Sequence, residues 1–207
     1  MWDFLFSQYK NYDTFSIWLE FIAVIFGLIS VLFARVNNIL VYPTGIISTL
    51  IFIYLLFQWS LIGDFIINIY YTIMSIYGWI LWSKRKNEAF EFPVATMKTV
   101  DFKKSIILFT LTTVFVIIIY IYFDKFTSWT AYVDTFTTGL FFVGMWLMAQ
   151  RKIENWIVWI IADLISIPLY FYKGYTLTSL QYLVFTIIAY FGYREWKTYL
   201  QKETLSK

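Results

Sequence analysis

Residues 154–170 read ENWIVWIIADLISIPLY, an apolar run that begins with Glu154 and carries a second carboxylate, Asp163, near its middle. Counted on to Lys173, the segment has about the twenty residues that cross a ~30 Å hydrocarbon layer as an α-helix. A charge at the centre of a bilayer costs roughly 2.5–3.5 kcal/mol. The sequence therefore predicts a membrane-spanning helix whose Asp163 lies near the midplane and faces a cavity, a partner or a permeating solute.

The polar and aromatic side chains of this helix share one face. Trp156, Trp159 and Asp163 follow at i, i+3 and i+7, and Ser166 and Tyr170 continue the same stripe. Indole faces attract positive charge, and a buried carboxylate neutralises it, so this face suits an organic cation. The alternative is structural: Asp163 would bond a neighbouring helix, and tryptophan would anchor the interface, which fits Trp156 better than Trp159.

The composition identifies the class of protein. Of 207 residues, 60% are hydrophobic, 24% aromatic and 14% charged, which is far more apolar than a soluble domain. The apolar runs have the length of spanning helices and lack the alternation of barrel strands, so we expect an all-α integral membrane protein surrounded by lipid. The chain has no cysteine and no histidine, which excludes disulfides and thiolate or histidine chemistry. We predict no cofactor and no metal. We also predict no nucleic-acid partner, because the net charge of +3 comes from basic residues in the connections, where membrane topology explains them.

Seven spans are predicted, with an interfacial segment before them and polar residues after them. The longest connection, residues 84–104, separates the third span from the fourth. The predicted spans are residues 17–34, 39–57, 61–82, 105–123, 133–149, 154–173 and 176–193. The predicted units are an interfacial segment (1–16), a first three-helix repeat (17–83), a connection and linker helix (84–130), a second repeat (131–197) and a tail (198–207).

The distribution of basic residues predicts the orientation. Seven spans put the two ends of the chain on opposite sides of the membrane. Of the 16 Lys and Arg residues, only Lys10, Lys125 and Lys173 fall on the side of the N-terminus. By the positive-inside rule, the N-terminus lies outside and the C-terminus in the cytoplasm.

A weak internal repeat supports a 3+1+3 arrangement. The third span ends with Gly78 and Trp82, and the seventh ends with Gly192 and Trp196 at the same spacing. Two triplets joined by one helix are parallel and related by an axis along the membrane normal, and solute sites in such folds lie between the repeats. The polar residues that we expect to join Asp163 at such a site are Asn68 and Tyr71 on the third span and Gln181 and Tyr182 on the seventh. For each of these, an ordinary interhelical hydrogen bond is the alternative.

Several strings resemble the PnuC family of bacterial vitamin transporters. They are Glu154-Asn155-Trp156-Ile157-Val158-Trp159 with Asp163, Pro168-Leu169-Tyr170, Tyr42-Pro43-Thr44-Gly45, Tyr77-Gly78-Trp79 and Gly192-Tyr193-Arg194-Glu195-Trp196-Lys197. The resemblance implies uptake of nicotinamide riboside across the inner membrane by facilitated diffusion, with trapping by a cytoplasmic kinase. It also implies a SWEET-like fold and a homotrimer. The family pattern W-x-x-W-x-x-x-N maps onto Trp156, Trp159 and position 163, where this chain has Asp.

Other functions remain open at this stage. Relatives carry thiamine or riboflavin, and thiamine shares a quaternary aromatic nitrogen with nicotinamide riboside. A membrane enzyme would need a constellation of catalytic groups on one face of the membrane, and we find none. A structural or receptor protein would lack a solute site. The chain has no G-x-x-x-x-G-K loop, so it does not power transport with ATP itself.

Overall fold

The computed structural model describes residues 13–59, 62–86, 89–90 and 92–205. It is all-α apart from one short hairpin, as predicted. The helices are α1 (Thr14–Arg35), α2 (Val41–Gln58), α3 (Ile62–Ser83), α4 (Thr99–Tyr122), α5 (Trp129–Ala149), α6 (Glu154–Tyr172) and α7 (Thr176–Leu205), and the hairpin pairs β1 (Arg85–Lys86) with β2 (Ala89–Phe90). The predicted interfacial segment falls mostly on residues 1–12, which lie outside the described residues.

Local hydrogen bonds account for the helix boundaries. Asp13 caps α1 by accepting from the Ser16 N–H at 3.2 Å. Asp101 accepts from the Lys98 N–H at 2.9 Å, so α4 begins at Thr99, earlier than the apolar run alone predicts. Helix α7 continues through the polar residues beyond the predicted span as far as Leu205.

Within the described residues, five helices are long and apolar enough to cross a membrane: α1, α2, α3 from Asp64, α4 and α6. Helix α5 is different because it carries many polar and small residues among its apolar ones. Its threonines at positions 130, 135, 137 and 138 are all buried, as is most of the helix. Helix α5 is therefore surrounded by protein to a greater extent than the other helices.

The helices pack in an order that nearly follows the chain. Helix α2 packs against α1 and α3, and α6 packs against α5 and α7. Between these two groups, α3 packs against α5 and α1 packs against α7, while α4 packs mainly against α5. Six helices thus close a circuit in the order α1, α2, α3, α5, α6, α7, with α4 on its outside.

The core lies at the end of this circuit where α2 and α6 begin. Tyr42 and Trp156, one near the start of each of these helices, are 0% and 1% exposed. Each packs on a glycine: a Cβ added at Gly78 would lie 2.4 Å from the Tyr42 ring, and one at Gly192 would lie 2.7 Å from the Trp156 ring. Any larger residue at either glycine would push these helices apart.

The connection after α3 is bound to the start of α6 at this same end. Ala95 donates its N–H to the Arg151 carbonyl and accepts from the Ile153 N–H, both at 3.0 Å. The Met97 N–H lies 2.9 and 3.0 Å from the two carboxylate oxygens of Glu154. The buried Arg151 lies with its guanidinium 4.0 Å from the centre of the Trp82 ring and donates to the Phe92 carbonyl at 2.8 Å.

Candidate functional site

Asp163 lies in the middle of α6 and is 1% exposed. Neither of its carboxylate oxygens has a hydrogen-bond partner among the described residues. The Ser166 hydroxyl, one turn further along α6, is equally buried and equally unpaired. A buried carboxylate without a partner is costly, so this part of α6 is incomplete without a ligand, water or a bound proton.

Trp159 stands one turn before Asp163, and its ring is held between α3 and α5. Its centre lies 6.1 Å from the Tyr71 ring of α3 and 5.5 Å from the Phe141 ring of α5. A Cβ added at Gly144 of α5 would lie 3.2 Å from the Trp159 ring. Gly144 therefore lets the indole lie against the backbone of α5.

An aromatic series runs from Trp159 toward the far end of the circuit. Phe141 contacts Tyr182 of α7 with ring centres 5.8 Å apart, and Tyr182 contacts Tyr170 of α6 at 5.1 Å. Tyr71 and Tyr182 are also close enough to Asp163 to interact with it electrostatically. The fold thus brings together five of the predicted site residues, Tyr71, Trp159, Asp163, Tyr170 and Tyr182, from three helices.

Trp156 lies nearer the start of α6 and has different neighbours. Its ring packs edge to face on Trp196 with centres 5.6 Å apart, and on the backbone of Gly192. This packing accounts for the ring. The indole Nε1 is buried without a hydrogen-bond partner among the described residues.

The two predicted amide residues are half-buried. The Asn68 Nδ2 donates to the Asp64 carbonyl of its own helix at 2.9 Å, which fixes one side of that amide. The Gln181 side chain makes no hydrogen bond to another residue in the described part of the chain. The amide of Gln181 is therefore the freer of the two.

The sequence prediction missed Phe141 and Gly144, which place α5 against Trp159. Helix α5 has no polar stripe that marks one side, so nothing in its sequence pattern indicates which residues face the site. It also missed an ion pair between Asp134 of α5 and Lys173 at the end of α6. Within the described ranges, no group of three or more His, Cys, Asp or Glu residues could hold a metal ion.

Comparison with known proteins gives consistent matches along most of the chain. The family model described as nicotinamide mononucleotide transporter matches residues 17–198. The nicotinamide riboside transporter PnuC of Escherichia coli K12 is 29% identical to this chain, and the match covers 86% of this chain and 84% of that protein. The riboflavin/roseoflavin transporter RibM of Streptomyces davaonensis is 22% identical, covering 89% of this chain and 87% of its own.

A solved structure matches the fold. The crystal structure of the vitamin B3 transporter PnuC superposes with a TM-score of 0.68 at 22% identity, over 89% of this chain and 83% of that one. At this level of identity the match applies to the architecture. The arrangement of seven helices described above is therefore one that a vitamin transporter is known to adopt.

Proposed function

We propose, because the chain belongs to the nicotinamide mononucleotide transporter family, that it takes up nicotinamide riboside across the bacterial inner membrane. The resemblance to PnuC that the sequence motifs indicated is confirmed by the family match and the fold. Transport is facilitated diffusion, and a cytoplasmic kinase traps the product. The chain is a carrier without a catalytic step of its own. Its relatives are named as transporters.

The observation that carries the proposal is the unpaired carboxylate of Asp163 beside an aromatic ring. Nicotinamide riboside presents a flat pyridinium ring, which suits the face of Trp159 and the charge of Asp163 together. Tyr71 and Tyr182 supply hydroxyls and ring faces around them. We assign contacts with the polar edges of the substrate to Asn68, Gln181 and the Trp156 Nε1. We assign Tyr170 to the path by which the substrate reaches the site.

We infer that the chain folds as two parallel triplets joined by α4, in the predicted 3+1+3 order, and that all seven helices span the membrane. The circuit of six helices supports this, because the third helix of each triplet packs against the first helix of the other: α3 against α5, and α7 against α1. The equivalent packing of Tyr42 on Gly78 and of Trp156 on Gly192 supports it further. The pathway then runs between the triplets, and Asp163 lies about halfway along it.

The orientation and assembly complete the proposal. The N-terminus lies outside and the C-terminus in the cytoplasm, because the basic connections gather at the end that carries Arg151 and the 84–104 connection. The protein assembles as a homotrimer in lipid, as the family resemblance implies. Transport is downhill, because no hydrogen bond joins Asp163 to a second acid among the described residues, as a proton relay would need.

Riboflavin is the second candidate substrate, because the S. davaonensis relative is named for riboflavin and roseoflavin. Thiamine is a further alternative, because it also carries a quaternary aromatic nitrogen. Neutral riboflavin would make no use of the charge on Asp163. The unpaired carboxylate therefore favours a cation over a neutral flavin.

The deciding experiment is a binding titration of the purified protein against nicotinamide riboside, thiamine and riboflavin. We expect nicotinamide riboside to bind most tightly. Tighter binding of thiamine or riboflavin would reassign the cargo within the family. If none of the three bound, the transport proposal would fail. Accumulation of unmodified vitamin against its gradient in vesicles, abolished by an uncoupler, would contradict facilitated diffusion.

A further inference from the structure

The Asp134–Lys173 ion pair lies at the end of the helix circuit opposite the Trp82 and Trp196 core. Asp134 lies in the second turn of α5, and Lys173 is the residue at which α6 ends. Their side chains are 15% and 24% exposed, so the pair is mostly screened from solvent. It joins two helices of the same group at the mouth of the proposed pathway.

The ammonium group of Lys173 also lies over an aromatic ring. Its Nζ is 5.2 Å from the centre of the Tyr170 ring. A cation within about 6 Å of a ring centre is attracted by the electron-rich face. Lys173 therefore holds a positive charge between a carboxylate and a ring face, which is the kind of environment that the Asp163 and Trp159 pair offers in the middle of the helix.

Tyr170 is the first ring of the series that leads to the central site. From it the contacts pass to Tyr182, then to Phe141, and then to Trp159. We expect a flat cation that leaves the Tyr170 face to follow this series of rings. The position that Lys173 occupies is thus the outer end of a continuous aromatic path.

We propose that Lys173 is the outer gate of the pathway and that its ammonium holds the place, over Tyr170 and against Asp134, that an incoming organic cation takes. The inference rests on the proposed uptake of a cationic vitamin and adds the residue that controls access to it. An incoming pyridinium displaces the ammonium, which turns outward to solvent, and the path to Trp159 opens. A neutral solute has no charge with which to compete for the place of the ammonium.

The simpler alternative is an ion pair that only ties α5 to α6. The two differ in what happens when the ammonium is removed. A gate that competes with the substrate reduces the fraction of protein ready to bind, and its removal raises the apparent affinity. A structural tie gives no such gain, and its loss lowers stability or the maximal rate.

The experiment measures initial uptake of nicotinamide riboside into proteoliposomes by the full chain and by Lys173→Met. If the ammonium occupies the position about 90% of the time, we expect Lys173→Met to lower KM by about tenfold. Lys173→Arg, which keeps the charge, should keep KM near that of the unmodified protein. Lys125→Met is the matched control, because it removes one exposed charge from the same end of the circuit. It should leave KM unchanged.

If Lys173→Met is poorly folded, Lys173→Gln removes the same charge, and we expect the same fall in KM. A further variant tests the carboxylate that receives the cation. Asp134→Asn with Lys173→Met removes both charges and leaves no unpaired ammonium or carboxylate from the pair. We expect its KM to exceed that of Lys173→Met, because the carboxylate that receives the cation is gone. An unchanged or raised KM in Lys173→Met, with uptake by the unmodified protein intact, would overturn the gate proposal and leave the proposed function standing. Absence of uptake by the unmodified protein would instead overturn the proposed function.

Discussion

Trp82 and Trp196 each donate a hydrogen bond from their own group of helices to the other group. The Trp82 Nε1 donates to the Ala149 carbonyl at the end of α5 at 3.2 Å, and the Trp196 Nε1 donates to the Ala34 carbonyl in the last turn of α1 at 2.9 Å. The two indole rings also contact each other, with centres 6.0 Å apart. Both tryptophans are 0% exposed, so this pair joins the two groups at the centre of the core.

Replacing either indole by a phenyl ring should destabilise the protein. Trp82→Phe removes a buried donor and leaves the Ala149 carbonyl unpaired, which costs about 1–3 kcal/mol. Trp196→Phe should cost less, because the Ala34 carbonyl still accepts from the Asn37 N–H at 3.0 Å. Because the two rings are in contact, the stability lost in the double variant should differ from the sum of the losses in the two single variants. The measurement is thermal unfolding in detergent. Trp79→Phe, which alters an exposed tryptophan of α3, is the control, and equal stability of the Trp82 and Trp79 variants would contradict the joining role.

Asp163→Asn should weaken binding of a cationic vitamin while leaving the fold intact. Charge-assisted contacts contribute roughly 1.5–3 kcal/mol, and each 1.4 kcal/mol is tenfold, so we expect a loss of about ten- to a hundredfold. Binding of neutral riboflavin should change less. Asparagine removes a buried charge, so thermal stability should not fall. Normal cation binding with reduced stability would show that Asp163 holds helices together instead.

Trp159→Leu should cost a similar amount of cation binding, because a desolvated cation–π contact contributes about 2 kcal/mol. If Trp159 and Asp163 contact the same ring of the ligand, the double variant should lose less binding free energy than the sum of the two single losses. Titration of the four proteins with nicotinamide riboside measures the coupling. Additive losses would place the two side chains on separate parts of the ligand.

Gly144→Ala should affect binding more than folding. The added Cβ would lie 3.2 Å from the Trp159 ring, close enough to shift the indole by a few tenths of an ångström. Gly27→Ala is a matched control, since its Cβ would lie 3.1 Å from the Ser48 hydroxyl on another pair of helices. We expect weaker nicotinamide riboside binding in the first variant only. Equal affinities would mean that the position of Trp159 does not determine binding.

The orientation can be tested by labelling, because the chain contains no cysteine of its own. Thr96→Cys in the connection before α4 and Lys125→Cys after it both replace exposed residues. An impermeant maleimide applied to intact cells should label the cysteine at 125 and not the one at 96. The reverse pattern would invert the proposed topology.

Much of the fold was accessible from the sequence because it depends on local properties of the chain. The length and apolarity of each run predict a helix wherever that run lies, and the seven predicted spans correspond to the seven helices of the described residues. The burial of Asp163 in mid-helix also follows, since a carboxylate in the middle of a membrane-spanning run is costly in lipid and turns toward the other helices. The family resemblance rested on motifs such as Gly192 with Trp196, which are local too.

The neighbours of each side chain were decided only by the tertiary structure. Trp156 and Trp159 share one face of α6 in the sequence, yet the first packs on Gly192 and the second on Phe141 and Gly144. One turn along a helix is enough to change which helix a side chain meets, and the sequence of α6 does not specify where its neighbours cross it. The pairing of Lys173 with Asp134 likewise joins residues far apart in the chain, and it exists because α5 and α6 pack antiparallel with their ends together.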